Sequence, residues 1–346
     1  MIYLNLLFCF ILLVFIHEFG HYFVARYFQT EVTDFSIGFG KPLYEYEDKN
    51  GTKWKISPIP LGGYVKIKGF DSIFSKNENY EKGSFQNLGL VQKICVLLAG
   101  SFFNFLSVFI VLFCMFFIAG SPSIKPIVGK IIEGSAAMES DIRVGDKIIN
   151  IDDIEIIEFN DISKIISKKN EINITIDRNE TFLNKTIKLK FNEDYNKYFL
   201  GIAPVNTTEQ NIIRNKFNPY LSAKYSFNLI YEIYDFTFSQ LSKSFKNNTL
   251  QNELAGPIGI IKNAHNLMLD NLGGIFFFFI VISLNIGLIN LLPIPLLDGG
   301  HIVYFIIRRI FSNSLPEFVT RVYFTVGITI ISFLFLVVTF NDIFYK

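Results

Sequence analysis

The sequence predicts an α-helical membrane protein of about four spans, with a water-exposed module inserted between them. Three observations carry that reading. Half of the 346 residues are hydrophobic and only 18% are charged, against about a quarter charged in an ordinary soluble domain. Four stretches approach or exceed the roughly 20 apolar residues that a helix needs to cross a hydrocarbon core. Between the second and the third lies a long polar section, residues 121–270, patterned as short strands and then as amphipathic helices. A mean hydropathy of +0.35 suits such a mixture. The composition excludes a disordered chain, a collagen-like fibre and a small disulfide scaffold. The 32 basic and 31 acidic residues leave no basic excess to attract nucleic acid.

The first apolar stretch runs from Met1 to about Ile16 and continues past a short polar interruption to Phe28. No small-residue cleavage site follows it closely, which argues against a removed signal peptide. The second is Ile94–Ala119, the third about Leu272–Leu296, both without a charge, and the fourth Val322–Phe340. Lysines and arginines in short loops mark the cytoplasmic side. They crowd the loop between the first two spans, from Lys41 to Lys93, and recur between the last two as Arg308, Arg309 and Arg321. Both termini and the long section 121–270 are then expected outside.

Within the long section, Ile127–Ile132 and Lys147–Ile151 read as strands, and Phe159–Ser167 as a short helix. Glu171–Asp177 and Leu183–Lys190 alternate around Arg178–Asn179–Glu180, a hairpin pattern. Residues 207–270 carry Tyr220, Phe227, Ile233 and Phe236 at roughly helical spacing. Cys9, Cys95 and Cys114 all lie in apolar runs and lack CxxC spacing, so packing rather than cross-linking is expected of them.

His17-Glu18-Phe19-Gly20-His21 places two imidazoles one turn apart on one helix face, with a carboxylate between them. Two such imidazoles can share one zinc ion while the glutamate acts on a zinc-bound water. The five-residue pattern is weak by itself. Its place at the end of an apolar run strengthens it, because ionisable groups at membrane depth are costly and usually functional.

A catalytic zinc generally takes three protein ligands and keeps one position open. The second cluster is Asn290-Leu-Leu-Pro-Ile-Pro-Leu-Leu-Asp298-Gly-Gly-His301. Asp298 is an acid at the end of an uncharged span, and Pro293 and Pro295 predict a partly unwound backbone before it. Sixteen residues of helix cover about 24 Å, which brings His17 near the cytoplasmic side of a core about 30 Å thick. The third span also runs inward and delivers Asp298 to the same leaflet. His301, three residues further on, stays a rival for the third ligand.

With these two clusters the chain resembles the site-2 proteases, intramembrane zinc metalloproteases, and among them the bacterial regulator of sigma-E protease group. Phe35–Gly40 together with Ile59–Lys66 is similar to that family's membrane-associated β-hairpin. Ala99-Gly-Ser-Phe-Phe-Asn104 resembles its AGPxxN motif, with Ser101 in place of the proline. Glu133–Ala137 and Ile142–Asn150 resemble an extracytoplasmic PDZ domain, and Leu254–Gly259 a GPxG element. The resemblance implies a membrane domain in two halves, 1–120 and 271–346, a PDZ domain at 121–206, and amphipathic extracytoplasmic helices at 207–270. It implies one Zn2+ per chain, held by His17, His21 and Asp298, with Glu18 as general base. It also implies that Asn104 and Asn290 help hold an extended substrate.

The function expected is cleavage of transmembrane segments of other membrane proteins. The resemblance points to anti-sigma factors already trimmed outside, or to remnant signal peptides. A non-catalytic membrane-tethered PDZ adaptor would not need Glu18 or the two histidines, all of which are present. A transporter built on broken helices would carry an inverted repeat, and none is seen. The partners are therefore membrane proteins and the lipid bilayer, with no nucleic acid.

Overall fold

The computed structural model describes residues 2–70, 81–192, 197–205, 211–215, 218–246, 272–311 and 315–344. Among the described residues, four helices are long and apolar enough to cross a membrane: Leu4–Tyr27, Leu90–Ala119, Gly273–Asn290 and Glu317–Phe344. They belong to α1 (Ile2–Tyr27), α2 (Leu90–Cys114, continued by a π-helical turn Met115–Ala119), α6 (Leu272–Asn290) and α8 (Glu317–Phe344). The chain divides into two compact units, 1–111 with 227–346, and 112–226.

In the first unit α1 is followed by four strands: β1 (Val32–Phe39), β2 (Tyr44–Glu47), β3 (Lys53–Ile56) and β4 (Ile59–Ile67), in the order β2-β3-β1-β4. The segments expected to form a hairpin, β1 and β4, do pair antiparallel, with Phe35 opposite Val65 and Ile37 opposite Gly63. The sheet is nonetheless more than a hairpin. β3 pairs in parallel on the other flank of β1, so β3 and β4 are not neighbours. The Ser57–Pro58 corner carries the chain around the end of β1, where the Ser57 N–H donates to the Ile37 carbonyl at 2.9 Å. Asp48 shapes the β2–β3 turn by accepting from the N–H groups of Asn50 and Thr52 and from the Trp54 indole. Phe35, buried against Phe15 and Tyr22 of α1 and stacked on Trp54 at 4.5 Å, fixes the sheet to the first span.

α6 stops at Asn290, six residues short of the expected Leu296, because Pro293 and Pro295 cannot donate to a continuing ladder. The chain turns through Leu291–Leu297 and starts α7 (Asp298–Ile310). The first turn of α7 lies so close beneath this turn that a Cβ on Gly299 would stand 2.2 Å from the Leu291 carbonyl oxygen. Tyr323 of α8 donates to the Gly300 carbonyl at 2.8 Å and ties that turn to the last span.

The second unit holds β5 (Ser121–Ile124), β6 (Val128–Ile131), α3 (Ala136–Glu139), β7 (Lys147–Ile151), β8 (Ile154–Glu155) and α4 (Phe159–Ile166). It continues with β9 (Glu171–Arg178), β10 (Thr181–Lys188), β11 (Lys190–Asn192), β12 (Lys197–Phe199), β13 (Ile202–Pro204) and β14 (Ile212–Asn215). Ile172, Ile174 and Ile176 alternate with more exposed residues along β9 and join Ile148, Ile151 and Ile187 in one core, each 1% exposed or less. The β9–β10 hairpin turns at Asn179 and Glu180, both with positive φ (52° and 66°), the primed turn that matches strand twist. β14 pairs with β5, so the module closes beyond the expected boundary at 206.

Of the helices expected over 207–270, the described residues hold one, α5 (Pro219–Lys246). From Phe227 onward it does not stand apart from the spans. Phe227 and Tyr234, two turns apart, meet Phe109 and Phe105 of α2 at 4.6 and 5.6 Å. The Tyr234 hydroxyl donates to the Leu284 carbonyl of α6 at 3.2 Å. Leu254–Gly259 and His265 lie outside the described residues.

Candidate metal centre

Helical spacing puts His17 and His21 on one face of α1, their rings 4.9 Å apart and nearly perpendicular. That face meets α2. Both imidazoles are buried, and so is Gly100, whose backbone comes against them. A Cβ on Gly100 would lie 2.3 Å from His21 Nε2 and 2.8 Å from His17 Nε2, so only glycine admits the pair.

The break after α6 delivers Asp298 to the same point. Its Oδ2 lies 3.4 Å from His17 Nε2 and 3.4 Å from His21 Nε2, and the two nitrogens are 3.3 Å apart. Ligand atoms at about 2.0–2.1 Å from a tetrahedral zinc stand about 3.3–3.4 Å from one another. The three atoms thus form one face of such a tetrahedron. Asp298 Oδ2 is buried and makes no hydrogen bond among the described residues, a costly state unless a cation faces it. The His21 proton position agrees: Nδ1 donates to the Val96 carbonyl at 2.8 Å, which leaves a lone pair on Nε2. The donor set fits Zn2+.

A cavity of about 480 Å³ opens onto this triangle, with Glu18, Asn290, Leu296 and His301 on its wall together with Gly63 and Val65 of β4. Glu18 is close to the strand: its Cγ lies 3.3 Å from where a Cβ on Gly63 would sit. Asn290 places its amide nitrogen 3.3 Å from His17 Nε2. Leu296 holds a positive φ of 83°, uncommon for a bulky residue.

The rival third ligand stands elsewhere. His301 donates from Nδ1 to the Leu297 carbonyl at 3.0 Å, and its ring packs between Phe70 and Phe324 at 5.2 and 5.1 Å. It shares the cavity wall without joining the group of converging ligand atoms. Asn104 is fully buried and is absent from the cavity wall, with its amide against His17 Nδ1 at 3.3 Å. Ser101, the residue at the motif's proline position, is buried with its hydroxyl unpartnered among the described residues.

Sequence reasoning missed Gly100 and the Val96 carbonyl. The Ala99-Gly100 pair was a usable signal, since small residues mark close helix packing in membranes. A backbone carbonyl has no sequence signature.

The pattern of "Peptidase family M50" matches residues 5–334. A Rickettsia conorii protein is 34% identical over 96% of this chain and 95% of its own length. A Campylobacter jejuni protein is 33% identical over 96% of this chain and 90% of its own. Both bear the name "Putative zinc metalloprotease". Among solved structures, the PDZ domain of an SdrC-like protein from Listeria monocytogenes covers 23% of this chain and 86% of that one. Its identity of 19% and TM-score of 0.21 are too slight to assign a fold. A match from residue 5 to residue 334 leaves little of the chain outside it: the chain belongs to peptidase family M50, the site-2 proteases, and is a zinc metalloprotease of the membrane.

Proposed function

We propose that this protease cuts transmembrane segments of other membrane proteins, with His17, His21 and Asp298 as the zinc ligands and Glu18 as the general base. The observation that carries the assignment is the near-equilateral triangle of 3.3, 3.4 and 3.4 Å beside Glu18. Bound zinc supplies a water of lowered pKa and polarises the scissile carbonyl. Glu18 takes the proton of the attacking water and returns it to the leaving amide nitrogen. Asn290, on the cavity wall, holds the substrate backbone.

A helical substrate hides its carbonyls in its own hydrogen bonds, so it must unwind before it is cut. β4 supports a way to hold the unwound stretch. It is an edge strand, paired only with β1 among the described residues, and it passes Glu18. An extended segment added to that edge would exchange its helical hydrogen bonds for ladder bonds, and substrates with helix-breaking residues would be preferred. The substrates suited to this are anti-sigma factors after an outer cut, and remnant signal peptides. The chain would sit in the bacterial inner membrane with both termini and the inserted module outside, and with the metal toward the cytoplasmic face.

The inserted module, read as a PDZ domain, would select substrates by binding a newly exposed tail or by excluding bulky ectodomains. A groove of about 550 Å³ within it supports the first option, lined by Ile132, Ser163, Lys164, Ser167, Tyr198 and Phe199.

The test of the chemistry is Glu18→Gln. The amide cannot take the proton, so cleavage of a single-span substrate in detergent should fall about 10²–10⁴-fold, while zinc content by atomic absorption stays at the wild-type value. Cleavage at the wild-type rate would remove Glu18 from the mechanism.

A further inference from the structure

His17 and His21 contribute the same atom, Nε2, to the candidate centre, but their Nδ1 atoms are held differently. For His21 the partner is a backbone carbonyl, Val96, which can only accept. The proton is thereby fixed on Nδ1 and the lone pair on Nε2. For His17 the partner is the Asn104 side chain, whose Nδ2 is placed 3.3 Å from Nδ1 while its Oδ1 is buried without a hydrogen-bond partner among the described residues. A primary amide presents either a carbonyl oxygen or an NH2 group, two arrangements of the same shape. If NH2 faces His17, Nδ1 must accept and the ring proton moves to Nε2, where it would point at the cation. If Oδ1 faces His17, Nδ1 donates and Nε2 is free to ligate.

Asn104 is well fixed for such a role. It is fully buried. Its backbone carbonyl accepts from the Ser107 hydroxyl at 2.8 Å and from the Ser283 hydroxyl of α6 at 3.3 Å. Its Cβ lies 3.5 Å from where a Cβ on Gly287 of α6 would sit. A residue clamped between two spans and closed off from the cavity is poorly placed to touch substrate. It is well placed to hold a ring on a third span.

We propose that Asn104 is a positioning residue of the metal centre: its side-chain carbonyl accepts the Nδ1 proton of His17 and keeps that imidazole in the ligating tautomer. This rests on His17, His21 and Asp298 being the zinc ligands. It replaces the expected substrate contact for Asn104 and leaves that role to Asn290.

The experiment measures zinc affinity by competition with a chelating dye on detergent-purified full-length protein, with no substrate present. Asn104→Leu keeps the size and removes the acceptor, and Asn104→Ala removes the acceptor without adding bulk. Each should weaken zinc about 10–100-fold, the usual effect of losing an outer partner of a metal-bound histidine. Asn104→Asp restores an acceptor and should stay within a few-fold of wild type. A packing role predicts the reverse order, because a buried carboxylate would disturb the helix contact more than leucine does. A substrate-contact role predicts unchanged zinc affinity in every variant with a raised KM. Wild-type affinity in both the leucine and alanine variants, or an aspartate variant weaker than both, overturns the proposal. Asp298→Ala, run alongside, should lose zinc. Retention there would overturn the ligand assignment and the proposal with it, whereas its loss beside unaffected Asn104 variants sinks the proposal alone.

Discussion

The candidate metal centre and the inserted module both bury what matters to them, but by different means. At the centre the spans meet through what is missing from their side chains. Gly100 lets α2 reach the two histidines, and Gly20 would place a Cβ 2.4 Å from the Ala99 carbonyl oxygen. Lipid is as apolar as leucine, so helices in a bilayer gain little from hiding hydrocarbon and associate through close packing and hydrogen bonds instead. The module has water outside and follows the opposite rule. Its centre is isoleucine on alternating strand positions, and its rim is an ion-pair network. Arg178 grips Asp146 with two hydrogen bonds of 2.8 Å and also reaches Asp141. The contrast implies that added bulk damages the first region and lost bulk damages the second.

The largest effect should come from Gly100→Ala. One methyl group would stand 2.3 Å from His21 Nε2, and the helices cannot part without undoing the ligand triangle. Zinc affinity should fall about 100-fold or more, beyond the usual range for an outer-shell loss, and cleavage with it. Unchanged metal content in a correctly inserted variant would show that the spans tolerate bulk and would break the comparison on its membrane side.

Ile174→Ala tests the other side. Truncating a fully buried isoleucine typically costs about 2–5 kcal/mol, so the module should unfold at markedly lower denaturant while zinc content stays at the wild-type value. Loss of both together would mean that the two units do not fold independently.

A smaller effect is expected from acid. Burial alone would raise the Asp146 carboxyl, but the Arg178 guanidinium and the Arg143 N–H outweigh it and hold the group below the usual carboxylate range. A carboxylate whose folded pKa is depressed contributes stability that is present above its unfolded value, about 3.9, and is lost as pH falls through the folded value. The module's melting midpoint should therefore drop by a few degrees on acidification below about pH 4. Asp146→Asn should start lower and flatten that limb, leaving the part due to Asp141 and Asp152, which are also depressed, by Arg143 and by the Asn173 N–H respectively. An acid limb of wild-type steepness in Asp146→Asn would move the dependence to other carboxylates.

How far the sequence could be read follows from how local each signal is. The i, i+4 histidines and the turn at Asn179–Glu180 are written within a few residues, and both take the expected form. Asp298 was legible because an acid after a long uncharged run stands out at any distance. β1 lying between β3 and β4 was not legible, since parallel pairing leaves no turn to read and the eye joins the neighbouring segments Lys53–Ile56 and Ile59–Ile67. The packing of α5 on the spans was hidden for a related reason. Its aromatic spacing defines a face, and a face does not name what covers it. Gly100 against the two imidazoles depends on how two helices cross, which neither helix encodes alone.

The pairing of β5 with β14 has a consequence for the chain's topology as a polymer. The N–H of Lys125 donates to the carbonyl of Asn211 at 2.9 Å, so the two ends of the module leave side by side. With the module folded, the chain enters and leaves it side by side, as at a tight turn, although 85 residues lie within it. Unfolded, the same stretch is a long tether, and closing a loop that grows from about two residues to about 85 costs about 3 kcal/mol at (3/2)RT ln n. Such a junction behaves as a cassette. A domain of different size or sequence, or two in tandem, could occupy it without separating its entry and exit points, provided its own first and last strands stay zipped.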